Sequence, residues 1–232
     1  MNHLLSKIGS YPFEKLNLLH KDIKPSKDVI NLSIGEPKLN ADSNVLNILN
    51  KETNSFSNYP PMNAVPELSE AYRQYLKSHF GIENVAEDEV CLVAGTREGT
   101  FSIIQALFNK ENVKDKPYVV MPNPFYQIYG GATTLAGGEA KFLDCPEEDN
   151  FQPDLDSLKS EDWQKCQILV LCSPNNPTGS VLPLSKLKDI LDLADKYDFY
   201  VVSDECYVDL YTSEKSCPSI LQASSDLSLI HI

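Results

Sequence analysis

At 232 residues the chain has the size of one α/β domain with a single core, and 42% hydrophobic with 23% charged residues is ordinary globular composition. Its 33 acidic against 20 basic residues give a net charge of −13, which disfavours a nucleic-acid or anionic-membrane partner, since either needs a basic face. No apolar run approaches a membrane span, and the opening MNHLLSKIGSYPFEKLNLL lacks the pattern of a signal peptide.

The segment up to about Pro37 reads as extended and loop-like, punctuated by Pro12, Pro25 and Pro37. A short helix is predicted over 41–52 with Asp42 or Ser43 as its cap, followed by the proline-rich loop SNYPPMNAVP. PELSEAYRQYLKSHFG (66–81) starts with a proline, carries apolar residues at helical spacing and stops at Gly81, a natural C-terminal cap. Strands and helices then alternate. Strands are predicted at 89–94, 118–122, 139–144, 167–173 and 199–205. Helices are predicted at 97–109, 125–137, 184–198 and, short and acidic, near 154–161. Such alternation predicts an α/β fold, a mostly parallel or mixed sheet covered by helices.

The six cysteines (Cys91, Cys145, Cys166, Cys172, Cys206, Cys217) form no C-x-x-C pair and fit free thiols in a reducing cytoplasm. His3, His20, His79 and His231 lie far apart in no ligand spacing, so no zinc site is expected.

Ligand sites in α/β sheets gather beyond the C-terminal ends of the strands, and four predicted strands run into unusual residues there. They are AGTREG, PNPFYQ, SPNNPTG and SDECY. Gly95 and Thr96 lead into a helix whose first N–H groups can hold a phosphate, with Arg97 adding charge; a plain capped helix start is the other reading. SPNNPTG is a turn by composition, or a turn that aims the Asn176 amide into a pocket. Asp204 closes a buried apolar strand, where a carboxylate needs a partner. A protonated heterocycle nitrogen is one candidate, and the start of the next helix is the other. Tyr207 reaches the same side if the chain turns helical after Asp204. Tyr126 is either a stacking ring or a core aromatic, and Tyr59 either a phosphate donor or a surface tyrosine.

In this order the features resemble the class I/II aminotransferases of the pyridoxal-phosphate (PLP) fold type I. The resemblance covers about 11–217, through YPFEKL, NLSIGEPK, GTRE, PNPFYQIY, CSPNNPTG and ECY, and looks nearest to the N-succinyldiaminopimelate aminotransferase branch of lysine biosynthesis. It implies a three-layer PLP-transferase large domain over 39–226, incomplete at its C-terminus, after an arm and the start of a small domain over 1–38. It also implies that Asp204 pairs with the pyridine nitrogen, that Asn176 and Tyr207 bond the ring hydroxyl, and that Tyr126 stacks on the ring. Gly95, Thr96 and Arg97 would line the phosphate, Gly35 would offer backbone to the substrate carboxylate, and Tyr59 would reach the cofactor of a neighbouring subunit. The implied protein is a cytoplasmic homodimer that passes an amino group from an amino acid to a 2-oxo acid. An aspartate- or aromatic-type transaminase, a β-lyase of the same fold, and a non-catalytic fragment that binds phosphate ligands weakly are the alternatives.

Ala64 and Ser69 stand where that branch would have a glycine and an arginine, and GTREG has Gly99 and Thr100 in its first helical turn. The lysine that holds the cofactor in this family lies beyond a further strand after Asp204. Lys215, the only lysine after Asp204, follows too soon for a parallel crossover of about a dozen residues or more. The tail LSLIHI (227–232) looks like a translated sequencing adapter, so the natural sequence is expected to end near Asp226, in a truncated open reading frame. Borohydride reduction of these 232 residues mixed with PLP is expected to leave no stoichiometric adduct; a mass increment on any lysine contradicts this.

Overall fold

The computed structural model describes the chain apart from residues 1, 10, 31, 33, 36–38, 58, 60–65, 112–116, 211–216, 225–229 and 232. Lys215, Ala64, the boundary at Asp226 and most of the tail therefore lie outside the described residues. The chain forms two compact units, one of residues 1–8 with 64–232 and the other of residues 9–63.

The smaller unit holds α1 (Pro12–His20) and α2 (Ser43–Lys51). The first corrects the expectation of an extended opening segment. Pro12 sits in the first turn, where its missing N–H costs nothing, and Glu14 lies in the same turn, so the proline starts a helix. Asp42 caps α2, its carboxylate accepting the Asn44 N–H at 2.7 Å.

In the larger unit α3 (Pro66–Phe80) ends as predicted. Gly81 takes φ +72°, its N–H reaches the Lys77 carbonyl, and the Ile82 N–H reaches that of Leu76. The predicted strand at 89–94 does not form. The stretch has no strand partner among the described residues, and the Val93 side chain instead approaches Gly99, where an added Cβ would lie 3.1 Å from Val93 Cγ2.

From α4 (Thr96–Leu107) onward the order is β1 (Tyr118–Pro122), α5 (Gln127–Ala136), β2 (Glu139–Leu143), α6 (Ser160–Trp163), β3 (Cys166–Cys172), α7 (Leu184–Tyr197) and β4 (Tyr200–Asp204). A two-residue stretch, β5 (Ile230–His231), pairs with β4. The sheet order is β2-β1-β3-β4-β5, and every pairing is parallel.

Alternation along the strands explains the layers, because successive side chains face opposite ways. Val119, Met121, Ile168, Val170 and Val202 pack with Ile104 and Phe108 of α4 and Tyr129 and Ala132 of α5. Val120, Leu169, Leu171 and Val201 face the other side, against Leu187, Ile190 and Ala194 of α7 and against Trp163. Both faces are apolar, which is why these strands read as unbroken apolar runs. The result is a three-layer α/β sandwich.

Leu169, fully buried in β3, is expected to cost about 2–5 kcal/mol when changed to Ala. Urea unfolding measures this; a loss below about 1 kcal/mol contradicts the placement of Leu169 in the core.

Candidate functional site

Parallel pairing aligns the strand ends that carry the chemistry. Cys172 ends β3 directly beside Asp204, which ends β4. The Ser173 N–H continues the ladder to the Asp204 carbonyl at 3.1 Å. Asp204 is only 8% exposed, so its carboxylate depends on partners from the protein. The Tyr129 hydroxyl donates to Asp204 Oδ2 at 2.6 Å, and the Cys206 N–H donates to Oδ1 at 3.3 Å. No ion pair reaches it among the described residues.

Asn176 lies in the turn after β3, where the Gly179 N–H returns to the Asn175 carbonyl and the Asn175 N–H reaches the Ser180 carbonyl. Gly179 has φ +71°, a conformation other residues rarely adopt. The Ser173–Pro174 and Asn176–Pro177 peptides are both cis. Asn176 Nδ2 donates to the Tyr207 hydroxyl at 3.3 Å, so an amide from one strand end meets a phenol from the next. After Asp204 the chain makes a turn rather than a helix, with the Val208 N–H on the Glu205 carbonyl and the Leu210 N–H on that of Tyr207.

Tyr126 stands before α5 with its ring 5.8 Å from that of Tyr129 and edge-on to it, at 89°. It is 40% exposed, so it is not the core aromatic that was the other reading. The Arg97 guanidinium lies near the Tyr126 hydroxyl. Arg97, Tyr126, Tyr129, Asp204, Asn176 and Tyr207 thus belong to one connected cluster.

Gly95, not Thr96, occupies the cap position of α4, and Thr96 is the first helical residue. Gly95 has φ +129°, a backbone conformation that strains any other residue, and a Cβ there would lie 2.7 Å from the mobile end of Glu98, at Oε2. With no side chain at the cap, the Glu98 carboxylate lies beside Gly95 in the first turn. Its own backbone N–H and then Arg97 hold its pKa below the usual range, with Arg97 Nη2 at 3.0 Å. Gly35 and Tyr59 belong to the smaller unit and are both exposed, Tyr59 at 99%. The six residues named in the cluster all belong to the larger unit.

Four side chains escape a reading of the sequence: Tyr129, Glu98 and the thiols of Cys172 and Cys206 beside Asp204. Burial, then the Asp204 carboxylate, pushes the Cys172 thiol up to about 11 and the Cys206 thiol up to about 12. The same two causes raise the Tyr129 phenol far above its ordinary value, so it keeps its proton. The one sign of Tyr129 in the sequence is its spacing, three residues after Tyr126.

A three-layer parallel α/β sheet with polar groups massed at its C-terminal strand ends is the architecture of a ligand-binding α/β protein. The sequence pattern of the family described as aminotransferase class I and II matches residues 27–231, and the chain belongs to that family, whose members use pyridoxal 5'-phosphate. An aminotransferase from Neisseria meningitidis superposes with a TM-score of 0.89 and 39% identity, over 99% of this chain and 58% of that one. AspB from Helicobacter pylori gives a TM-score of 0.85 and 35% identity, over 93% and 55%. An aspartate aminotransferase from Pyrococcus horikoshii is 30% identical over 89% of this chain and 52% of its own length. LL-diaminopimelate aminotransferase 2 from a Nostoc species is 29% identical over 94% and 56%. The chain spans about half the length of the curated relatives it matches.

A proton-bearing Cys206 next to a carboxylate reacts slowly with alkylating agents, because the thiolate is the nucleophile. Asp204→Asn removes the charge and is expected to speed iodoacetamide labelling of Cys206 several-fold at pH 8, followed by peptide mass spectrometry. An unchanged or slower rate contradicts the charge placement.

Proposed function

We propose that the chain carries the larger part of a transaminase cofactor pocket, with PLP seated across the ends of β3 and β4. The observation that carries this reading is Asp204, a buried carboxylate with hydrogen-bond donors but no cation beside it among the described residues. A buried charge is stabilised most by an opposite charge with good geometry. A protonated pyridine nitrogen supplies one, and the donor set around it fits the rest of the cofactor.

Asn176 and Tyr207, which bond each other, would hydrogen-bond the ring hydroxyl, and their shared position at the two strand ends supports this. Tyr126 presents an exposed ring face for stacking. Gly95, Thr96 and Arg97 offer the start of α4 to the phosphate, where unpaired N–H groups and the helix dipole favour an anion. Glu98 now occupies that start and is exposed, so it must swing aside as the phosphate enters. When bound, the cofactor supplies an electron sink for the substrate carbanion, and Asp204 sustains it by keeping the ring nitrogen positive. Gly35 is assigned to the substrate carboxylate, and Tyr59 to the phosphate across a homodimer.

For the reaction we infer transfer of an amino group from an amino acid to 2-oxoglutarate, in a reducing cytoplasm. The names of the relatives support aspartate or LL-diaminopimelate as the class of donor. Succinylated diaminopimelate, in lysine biosynthesis, is the particular substrate suggested by segments such as YPFEKL and CSPNNPTG. Glutamate formation by the protein expressed from its native locus, with each donor in turn, separates these, and no glutamate with any of them contradicts the reaction.

For the chain itself, fluorescence titration is expected to show PLP binding that Asp204→Ala weakens by roughly tenfold or more. Equal affinity in the two proteins contradicts the pocket.

A further inference from the structure

We propose that Tyr129 is a positioning residue for the cofactor, locking the Asp204 carboxylate and the Tyr126 ring into one preorganised unit. This rests on the cofactor reading above and extends it to a side chain that touches neither ring nor substrate.

The Tyr129 hydroxyl lies 2.6 Å from Asp204 Oδ2. That length is typical of a charge-assisted O–H···O⁻ bond, the strong kind. An ionised carboxylate accepts about four hydrogen bonds. Tyr129 takes a position on Oδ2 and the Cys206 N–H takes one on Oδ1, so both oxygens are anchored and rotation of the group is blocked. The remaining lone pairs stay available for a ring nitrogen.

Tyr129 is itself held from every side. It is 1% exposed, in the cluster formed by α4, α5 and the strands. Its N–H reaches the Tyr126 carbonyl at 3.0 Å, and its carbonyl accepts the Thr133 hydroxyl at 2.7 Å. Its ring supports Tyr126 edge-on, at 5.8 Å. A single buried side chain therefore sets the direction of the carboxylate and the tilt of the stacking ring. The raised pKa of the phenol keeps it a donor across the working pH range. A flexible carboxylate would lose part of its interaction with the ring nitrogen to reorientation, and a fixed one does not.

Tyr129→Phe keeps the ring and removes only the donor. In the 232-residue chain, wild type and Y129F are to be titrated with PLP carrying 15N in the ring, reading affinity together with the 15N shift, which reports ring-nitrogen protonation. The expected result is roughly tenfold weaker binding and a 15N shift moved toward the unprotonated position, with circular dichroism unchanged. A second protein with 3,5-difluorotyrosine at position 129 keeps shape and donor but changes donor strength, and is expected to shift the 15N signal without loss of fold. This second arm decides the matter if Y129F fails to fold. An unmoved 15N signal in the variant that folds, with affinity lost or kept, means a purely structural role and overturns the proposal alone. A wild-type chain that binds no PLP, while a protected Tyr129 hydroxyl proton is still seen by NMR, overturns the cofactor reading and the proposal with it.

Discussion

A carboxylate that is 8% exposed at the end of a strand sets the terms for everything around it. Taking that charge out of water costs several kcal/mol unless donors and an opposite charge replace the lost hydration. Asp204 has the donors from within the protein, one from the α5 layer and one from the turn that follows β4. Among the described residues no cation stands beside it, and in the proposed pocket the cofactor's ring nitrogen would bring the opposite charge. Neighbours of Asp204 bear the mark of this centre too, since desolvation first and the Asp204 carboxylate second hold the Cys172, Cys206 and Tyr129 protons more tightly.

The sheet makes that centre possible. Parallel pairing of β3 with β4 brings Cys172 and Asp204 side by side, so the turns leaving the two strands are neighbours without further design. One turn delivers Asn176 and the other Tyr207, and the two side chains meet. Helices on both faces keep water from the strands, and α5 contributes to packing and chemistry at once. Its Tyr129 belongs to the apolar cluster through its ring and to the site through its hydroxyl.

Much of this was legible in the residues. The runs at 118–122, 167–173 and 199–205 announce strands because both of their faces are buried, and Gly81 announces a helix end because glycine adopts its left-handed φ at least cost. Asp204, Asn176 and Tyr207 were visible as polar residues placed where an apolar strand stops. What failed to show depends on partners distant in sequence. The stretch at 89–94 has strand composition, but a strand exists only where another pairs with it. Pro12 was read as a breaker although it opens a helix, since proline signals both and context decides. Tyr129 hardly shows, because its partner lies 75 residues further along the chain. Glu98 does not show either, since its place beside Gly95 depends on the backbone conformation of that glycine.

The central claim is that Asp204 is held ready for a cationic ring nitrogen. A crystal structure of the chain with PLP measures this directly. The account predicts the ring nitrogen within about 2.7–2.9 Å of an Asp204 carboxylate oxygen, with the Tyr129 bond still in place. A ring seated elsewhere, or one whose nitrogen faces solvent while Asp204 keeps only its present partners, contradicts it.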